Sequence, residues 1–225
     1  MASGSQSLTF FALVLPFLAA LAAPFLTRVL KHNAAWVLAI APAFIFIHFA
    51  GLLDTIGDGA TVSGGYSWIP SLDIRFSWFL DGLSLTFALL ISGIGTLIVL
   101  YSGGYLKDHP QLGRFFSFIL LFMGAMQGLV VSDSFLTLFV FWELTSITSF
   151  LLIGFDHRRE ASRRAAIQAL VVTGLGGLSL LAGLLVVWIA TGETELSGLL
   201  AAGDTMRHSA LYLVALVLVL GGAFT

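Results

Sequence analysis

Seven apolar runs, each near 20 residues long, decide what this chain can fold into; they cover roughly 8–27, 34–53, 79–101, 115–131, 134–154, 166–190 and 209–225. A run of about 20 apolar residues crosses a hydrocarbon core of about 30 Å as a helix. Inside that core each backbone N–H and C=O must be satisfied within its own segment, so the helix is the expected form. We therefore expect an all-α polytopic membrane protein, with residues 1–225 as one transmembrane domain of about seven helices. Only 10% of the residues are charged, against about 25% in a soluble domain. A net charge of -2 with no basic stripe excludes nucleic acid as a partner. There is no cysteine, which removes disulfides, thiolate catalysis and Cys-based metal or iron–sulfur sites. The first run follows MASGSQS, which has no Lys or Arg. It lacks the basic start of a secretory signal, although Ala20-Leu21-Ala22 resembles a cleavage site, and reads as a retained helix.

The breaks between runs carry the charge. Arg28 and Lys31 follow the first run, Lys107 and Arg114 the third, and Arg158, Arg159, Arg163 and Arg164 the fifth, while the alternate breaks hold Arg75 and Arg207. Short loops rich in basic residues stay on the cytoplasmic side, so this alternation puts the N-terminus outside. Most acidic residues lean the other way: Asp54, Asp58, Asp73, Asp81, Asp133, Glu193, Glu195 and Asp204. The longest outer break, 54–78, contains Gly64-Gly65 and then the apolar–polar alternation Leu72-Asp73-Ile74-Arg75-Phe76-Ser77-Trp78. That pattern predicts a small β-hairpin or extended cap, with Tyr66, Trp68 and Trp78 at the membrane interface.

Glu143 stands in the middle of the fifth run, in FVFWELTSITSFLLIGF. Ten residues into a helix rising 1.5 Å per residue, it lies within a few Å of the bilayer midplane. A central acidic residue costs about 2.5–3.5 kcal/mol on insertion scales, and such residues mark ion or proton pathways. The alternative is a protonated structural glutamate, hydrogen-bonded to Thr145, Ser146 or a neighbouring helix. Thr145, Ser146, Thr148 and Ser149 on the same helix, with Gln127 and Gln168 on its neighbours, are the further polar candidates for a proton path. Hydroxyls in membrane helices also bond back to their own backbone or pack closely. The histidines at 32, 48, 109, 157 and 208 have no metal-ligand spacing, so no metal is expected. Gly174-Leu175-Gly176-Gly177 does not complete a nucleotide-binding glycine pattern and lies inside a run. With Gly124 and Gly128, it reads as helix-packing surface. No cofactor is implied, and the four-arginine loop reads as a topology determinant meeting anionic headgroups.

Three blocks then carry a family resemblance: WFLDGLSLTFALLISGIGTLIVLYSGGYL at 78–106, RFFSFILLFMGAMQGLVVSDSFLTLFVFWELTSITSFLLIGF at 114–155, and AAIQALVVTGLGGLSLLAGL at 165–184. Together they resemble the A subunit of bacterial Mrp-type multisubunit Na+/H+ antiporters, itself similar to the antiporter-like subunits of respiratory complex I. The TSITSF core, and Gly176-Gly177 where complex I relatives tend to carry an acidic residue, lean toward the Mrp subunit. The resemblance implies that Glu143 is a proton-path residue whose partner is a lysine of a broken seventh helix. The last four runs contain no lysine. In the family that lysine comes just past a segment resembling Gly221-Gly222-Ala223-Phe224-Thr225, so the chain is expected to be the N-terminal portion of a longer subunit. Gln168 stands where relatives often have a basic residue.

Burial favours the neutral form of a carboxylate and a nearby ammonium the charged form, so a moving lysine can load and release its proton without a cofactor. The expectation is a secondary-transporter subunit, not an enzyme, in a bacterial inner membrane. Its partners would be other membrane subunits, protons, Na+ and lipid. The alternatives are a proton-pumping subunit of a complex I-like NADH–quinone oxidoreductase, of translocase type, or a structural membrane subunit that conducts nothing. The charge pattern makes one immediate prediction: a membrane-impermeant thiol reagent added outside should label Gly59→Cys but not Ala161→Cys. The reverse pattern would invert the orientation.

Overall fold

The structure is a computed structural model that describes residues 3–72 and 74–225. Asp73, counted above among the outer acids and in the alternating strand, lies outside the described residues. The chain forms α1 (Ser3–Leu30), α2 (Ala34–Leu38), α3 (Ile40–Ala50), α4 (Leu53–Gly57), β1 (Val62–Ile69), β2 (Ile74–Leu80), α5 (Gly82–Tyr105), α6 (Leu112–Val131), α7 (Phe135–Ile153), α8 (Glu160–Thr191), α9 (Leu196–Arg207) and α10 (Tyr212–Ala223). Two compact units arise, one from Met1–Val62 and Leu80–Val131, the other from Ser63–Phe79 and Ser132–Thr225.

Among the described residues, five helical stretches are long and apolar enough to cross a membrane: Gln6–Ala50, Gly82–Tyr105, Leu112–Val131, Phe135–Ile153 and Glu160–Thr191. The first, at 45 residues, would be about twice a bilayer's thickness if straight. It turns back instead. Lys31 takes φ +52°, and Thr9 near the start of α1 shares a hydrogen bond with His48 near the end of α3, Oγ1 to Nε2 at 3.1 Å. Two antiparallel arms result, matching the first two expected runs. The seventh run is helical over only 12 residues, shorter than the expected 209–225 and short of the length a span needs.

In the first unit α1 packs on α6, and α5 packs on both α3 and α6. Small residues set these contacts, as membrane helices require, since apolar side chains gain little by leaving lipid for each other. A Cβ on Gly124 would lie 3.0 Å from Phe17 and Pro16, and one on Gly95 2.7 Å from Met123 Sδ. Ser117 donates to the Ala20 carbonyl at 2.8 Å. The opposite surface is apolar, with Leu21 and Leu97 more than two-thirds exposed, as a lipid-facing side should be.

The expected hairpin is present as the two-stranded sheet of β1 and β2. Tyr66 and Trp68 are exposed, but Trp78 is 1% exposed. It is a core residue and does not sit at an interface. Gly64 explains the difference, because a Cβ there would lie 2.7 Å from the Trp78 ring; the bare backbone lets the indole lie flat beneath it.

Within the second unit, residues 132–135 run between β2 and the α8–α9 connection. Ser132 bridges to Trp78 and Ser134 to Glu195. The Asp133 N–H donates to the Ser77 carbonyl at 3.0 Å, its carbonyl accepts from Leu196 N–H at 2.8 Å, and Phe135 N–H donates to the Thr194 carbonyl at 2.9 Å. Helix α9 lies in what the sequence marked as a break. Its 12 residues mix apolar and charged side chains, so it has neither the length nor the uniformity of a span. Leu196, Leu199 and Met206 pack it onto a cluster formed by Phe135, Leu180, Leu184, Val187 and Ala215.

Gly59 adopts φ +86°, so the neighbouring exposed Ala60 serves the labelling experiment without backbone strain. Asp81 caps α5 in a reciprocal box, accepting from Ser84 N–H at 2.8 Å while its own N–H donates to Ser84 Oγ at 2.8 Å. The Ser84 N–H holds the Asp81 carboxyl below the usual carboxylate range. This stabilisation is present above the unfolded pKa and is lost as pH falls through the lower folded value. Asp81→Ala is expected to cost about 1 kcal/mol of local stability, read as faster amide exchange at Ser84 and Leu85. Unchanged exchange would show the cap to be inert.

Candidate functional site

Glu143 lies on the face of α7 that packs against α8. The two helices run antiparallel with one register over their whole contact. Phe135 joins Leu184 and Val187 in the cluster at one end. Glu143 meets Gly177 in the middle, and a Cβ built on Gly154 lies 3.3 Å from Ala166 Cβ at the other end. Gly177 is what permits the middle contact. A Cβ there would collide with Glu143 Oε1 and stand 3.1 Å from its Cδ and 3.3 Å from Trp142 Cδ1. The carboxylate therefore occupies a notch in the α8 surface.

In that notch Glu143 Oε1 is buried and accepts no hydrogen bond, while the residue as a whole is only half-buried. One oxygen is dry and the group retains an open side. An unpartnered buried carboxylate oxygen is costly, because the lost hydration is not replaced. Carboxylates kept in this state answer to whichever proton or cation reaches them.

The hydroxyls suggested by the sequence do not fill the role of partner. Thr145 donates to the Trp142 carbonyl at 2.7 Å, Ser146 to the same carbonyl at 3.3 Å, and Thr148 to the Leu144 carbonyl at 2.7 Å. Each returns its proton to its own helix, as hydroxyls in apolar helices commonly do. Ser149 is half-buried. Gln168 is exposed on α8, nine positions before Gly177 and so about 13 Å along the axis; it is not beside Glu143. Gln127 belongs to α6 in the other unit, fully buried, with neither end of its amide hydrogen-bonded.

Of the glycines read as packing surface, Gly124, Gly176 and Gly177 pack closely, while a Cβ on Gly174 would meet open space. Next to Gly177, Gly176 receives the end of α10: a Cβ there would strike Thr225, and one on Gly222 would lie 2.7 Å from the Gly176 carbonyl oxygen. Ser179 donates to the Leu218 carbonyl at 2.9 Å. Adjacent residues of α8 thus receive Glu143 from α7 and the last residues of α10. Among the described residues there is no group of three or more His, Asp or Glu arranged to hold a metal ion. The sequence reading missed one buried carboxylate in this unit, that of Asp133. Its only sequence signal is the Ser-Asp-Ser break between two runs, which also suits a plain turn.

Comparison with known proteins places this arrangement. Residues 68–116 match the family described as NADH-ubiquinone oxidoreductase (complex I), chain 5 N-terminus. Residues 132–225, which hold the Glu143 notch, match the NADH:quinone oxidoreductase/Mrp antiporter transmembrane family. The chain is 44% identical over 221 residues to Na(+)/H(+) antiporter subunit A1 of Staphylococcus haemolyticus, covering 98% of this chain and 28% of that protein. Against the subunit A1 of Staphylococcus aureus it is 43% identical, with the same coverage. The chain thus spans less than a third of the length of these relatives. In structure it is similar to a chain of the Mrp complex from Dietzia sp. DQ12-45-1b, with a TM-score of 0.84 and 30% identity over 97% of this chain and 23% of that one. A chain of the archaeal membrane-bound sulfane sulfur reductase shares the fold at 19% identity, with a TM-score of 0.78 over 96% of this chain and 44% of that one.

The notch makes a paired prediction. Gly174 has nothing within 4 Å of a built Cβ, so Gly174→Ala should be accepted and gain roughly 0.5–1 kcal/mol from the helix preference of alanine. Gly177→Ala should push the Glu143 carboxylate out of its notch. Carbodiimide labelling of Glu143 followed by peptide mass analysis is expected to rise several-fold in Gly177→Ala and stay unchanged in Gly174→Ala. Equal labelling in both would show that Gly177 does not seat the carboxylate.

Proposed function

We propose that this chain, which belongs to the family of membrane subunits shared by Mrp antiporters and NADH:quinone oxidoreductases, forms the N-terminal part of a multisubunit Na+/H+ antiporter subunit with Glu143 as its proton carrier. The observation that carries the proposal is the Glu143 carboxylate itself, seated against Gly177 with one oxygen buried and unpartnered and one side open. A purely structural glutamate would spend both oxygens on hydrogen bonds. This one keeps a buried acceptor free near the middle of an apolar span, where ionisable residues mark ion or proton pathways.

The names of the relatives support Na+ and protons as the ions moved, and other membrane subunits as the partners. The setting proposed is a bacterial cell membrane, with the chain multi-pass and its N-terminus outside. Proton movement follows from ordinary electrostatics. A cation approaching the open side of Glu143 favours the ionised form, and its withdrawal returns the proton. The lysine that the resemblance implies would be that cation, and the packing of Gly222 and Thr225 at Gly176 brings the α10 side of the unit to the level of Glu143. In this reading the hydroxyls of Thr145, Ser146 and Thr148, bonded to their own helix, shape it and are not relay stations. Gln168 stands apart from the carrier.

A second reading, a proton-pumping subunit of a redox complex, draws on the oxidoreductase named in the descriptions of both matching families. It shares Glu143 and differs in partners: the purified assembly would contain a quinone or NADH site.

Both readings predict that Glu143→Gln, an uncharged group of the same shape, abolishes proton movement in vesicles containing the whole complex, and that Glu143→Asp retains part of it. The antiporter reading adds that the lost movement is cation-dependent. A Gln variant that assembles and transports at the wild-type rate would remove Glu143 from the path.

A further inference from the structure

We propose that Asp133 is the positioning residue for Glu143, fixing the register of α7 on α8 from ten residues away. The residue is 4% exposed and both carboxylate oxygens are used on one residue of α9. Oδ1 accepts from Ser197 N–H at 2.8 Å and Oδ2 from Ser197 Oγ at 2.7 Å. These groups are 64 positions apart in sequence.

The pairing answers a need on each side. The first N–H groups of a helix have no partner within it, and the residue preceding α9, Glu195, makes no side-chain cap. Asp133 supplies that cap from the start of another helix. A charge-assisted bond to a helix-start N–H is among the stronger hydrogen bonds a protein makes. The backbone of Asp133 is committed as well, to Ser77 on one side and Leu196 on the other. Asp133 therefore joins the hairpin, the first residue before α7's cap and the first turn of α9 at a single point.

The consequence lies in register. α7 begins two residues after Asp133, and α9 begins five residues after the end of α8. Fixing Asp133 to Ser197 fixes the start of α7 against the end of α8. A slip of one turn is about 5.4 Å and would set Glu143 opposite Leu181 or Thr173 instead of Gly177, closing the notch. The Gly177 notch and the cluster around Phe135 favour the observed register along the α7–α8 contact, and the bonds of Asp133 hold it at the end where α7 begins. Beside the backbone bonds of residues 133–135, this directional two-bond side-chain contact is what we propose locks the register.

The functional weight of this inference rests on the reading of Glu143 as proton carrier; the register claim does not, and the test separates them. In the assembled complex, a Gly154→Cys/Ala166→Cys pair reports the far end of the α7–α8 contact, where the built Cβ distance of 3.3 Å is close to the spacing of a disulfide. The chain has no cysteine of its own. Asp133→Ala is expected to lower disulfide yield at this pair several-fold and to lower proton movement with it. Asp133→Asn should restore most of both, since its amide oxygen accepts from Ser197 N–H and its amide nitrogen donates to Ser197 Oγ. Ser197→Ala, which removes one of the two bonds, should fall between, and it carries the test if Asp133→Ala fails to assemble. Unchanged disulfide yield in Asp133→Ala, or in Ser197→Ala where that variant carries the test, overturns the proposal. So does an Asp133→Asn variant as impaired as the alanine. If the yields fall as expected while Glu143→Gln transports normally, the register claim stands and the proton-carrier reading falls.

Discussion

The absence of a side chain at Gly177 is the constraint on which the rest of this unit depends. A carboxylate of glutamate size can lie between two apolar helices only where one helix surrenders the space, and a single methyl group at that position would expel it. The cost of an unpartnered oxygen in such a place is tolerated because the α7–α8 contact is secured elsewhere, by the apolar cluster around Phe135 and Leu184 and by the bonds of residues 133–135 to the α8–α9 connection. Stability is supplied at the ends of the pair, leaving its middle to the Glu143 carboxylate.

α8 is the element on which this unit is assembled. At 32 residues it is longer than a bilayer needs, and it contacts α7, α9 and α10. Its glycines divide the work: Gly177 accepts Glu143, Gly176 the end of α10, and Gly183 the backbone of Val219. Close approach of this kind is the means by which membrane helices associate when hydrophobic burial offers no gain. Here it also decides which side chains reach the carboxylate.

Much of this was legible in the sequence, and the reasons are physical. Bilayer thickness fixes the length of an apolar run, so the helices fall close to where the runs do, and alternation in 74–78 marked β2 because side chains of a strand point to opposite faces. Glu143 stood out because nothing around it explains a charge. What could not be read depends on contacts between distant positions. Trp78 is buried by Gly64 across the hairpin, and Asp133 pairs with Ser197 over 64 positions. Helix α9 has too few apolar residues to register as a span. The hydroxyls near Glu143 were ambiguous in the sequence, since a Thr or Ser in a helix can face a neighbour or its own backbone. The structure gives Thr145, Ser146 and Thr148 to the backbone.

The central claim is that the carboxylate in the Gly177 notch changes protonation state during transport. Infrared difference spectroscopy on the reconstituted complex observes this directly, because a neutral carboxyl and a carboxylate absorb at separate frequencies. On addition of the transported cation, a carboxyl band should be lost and a carboxylate band gained, the carboxyl band shifting in heavy water and both vanishing in Glu143→Gln. A difference spectrum that is the same in the wild type and in an assembled Glu143→Gln complex would contradict the account.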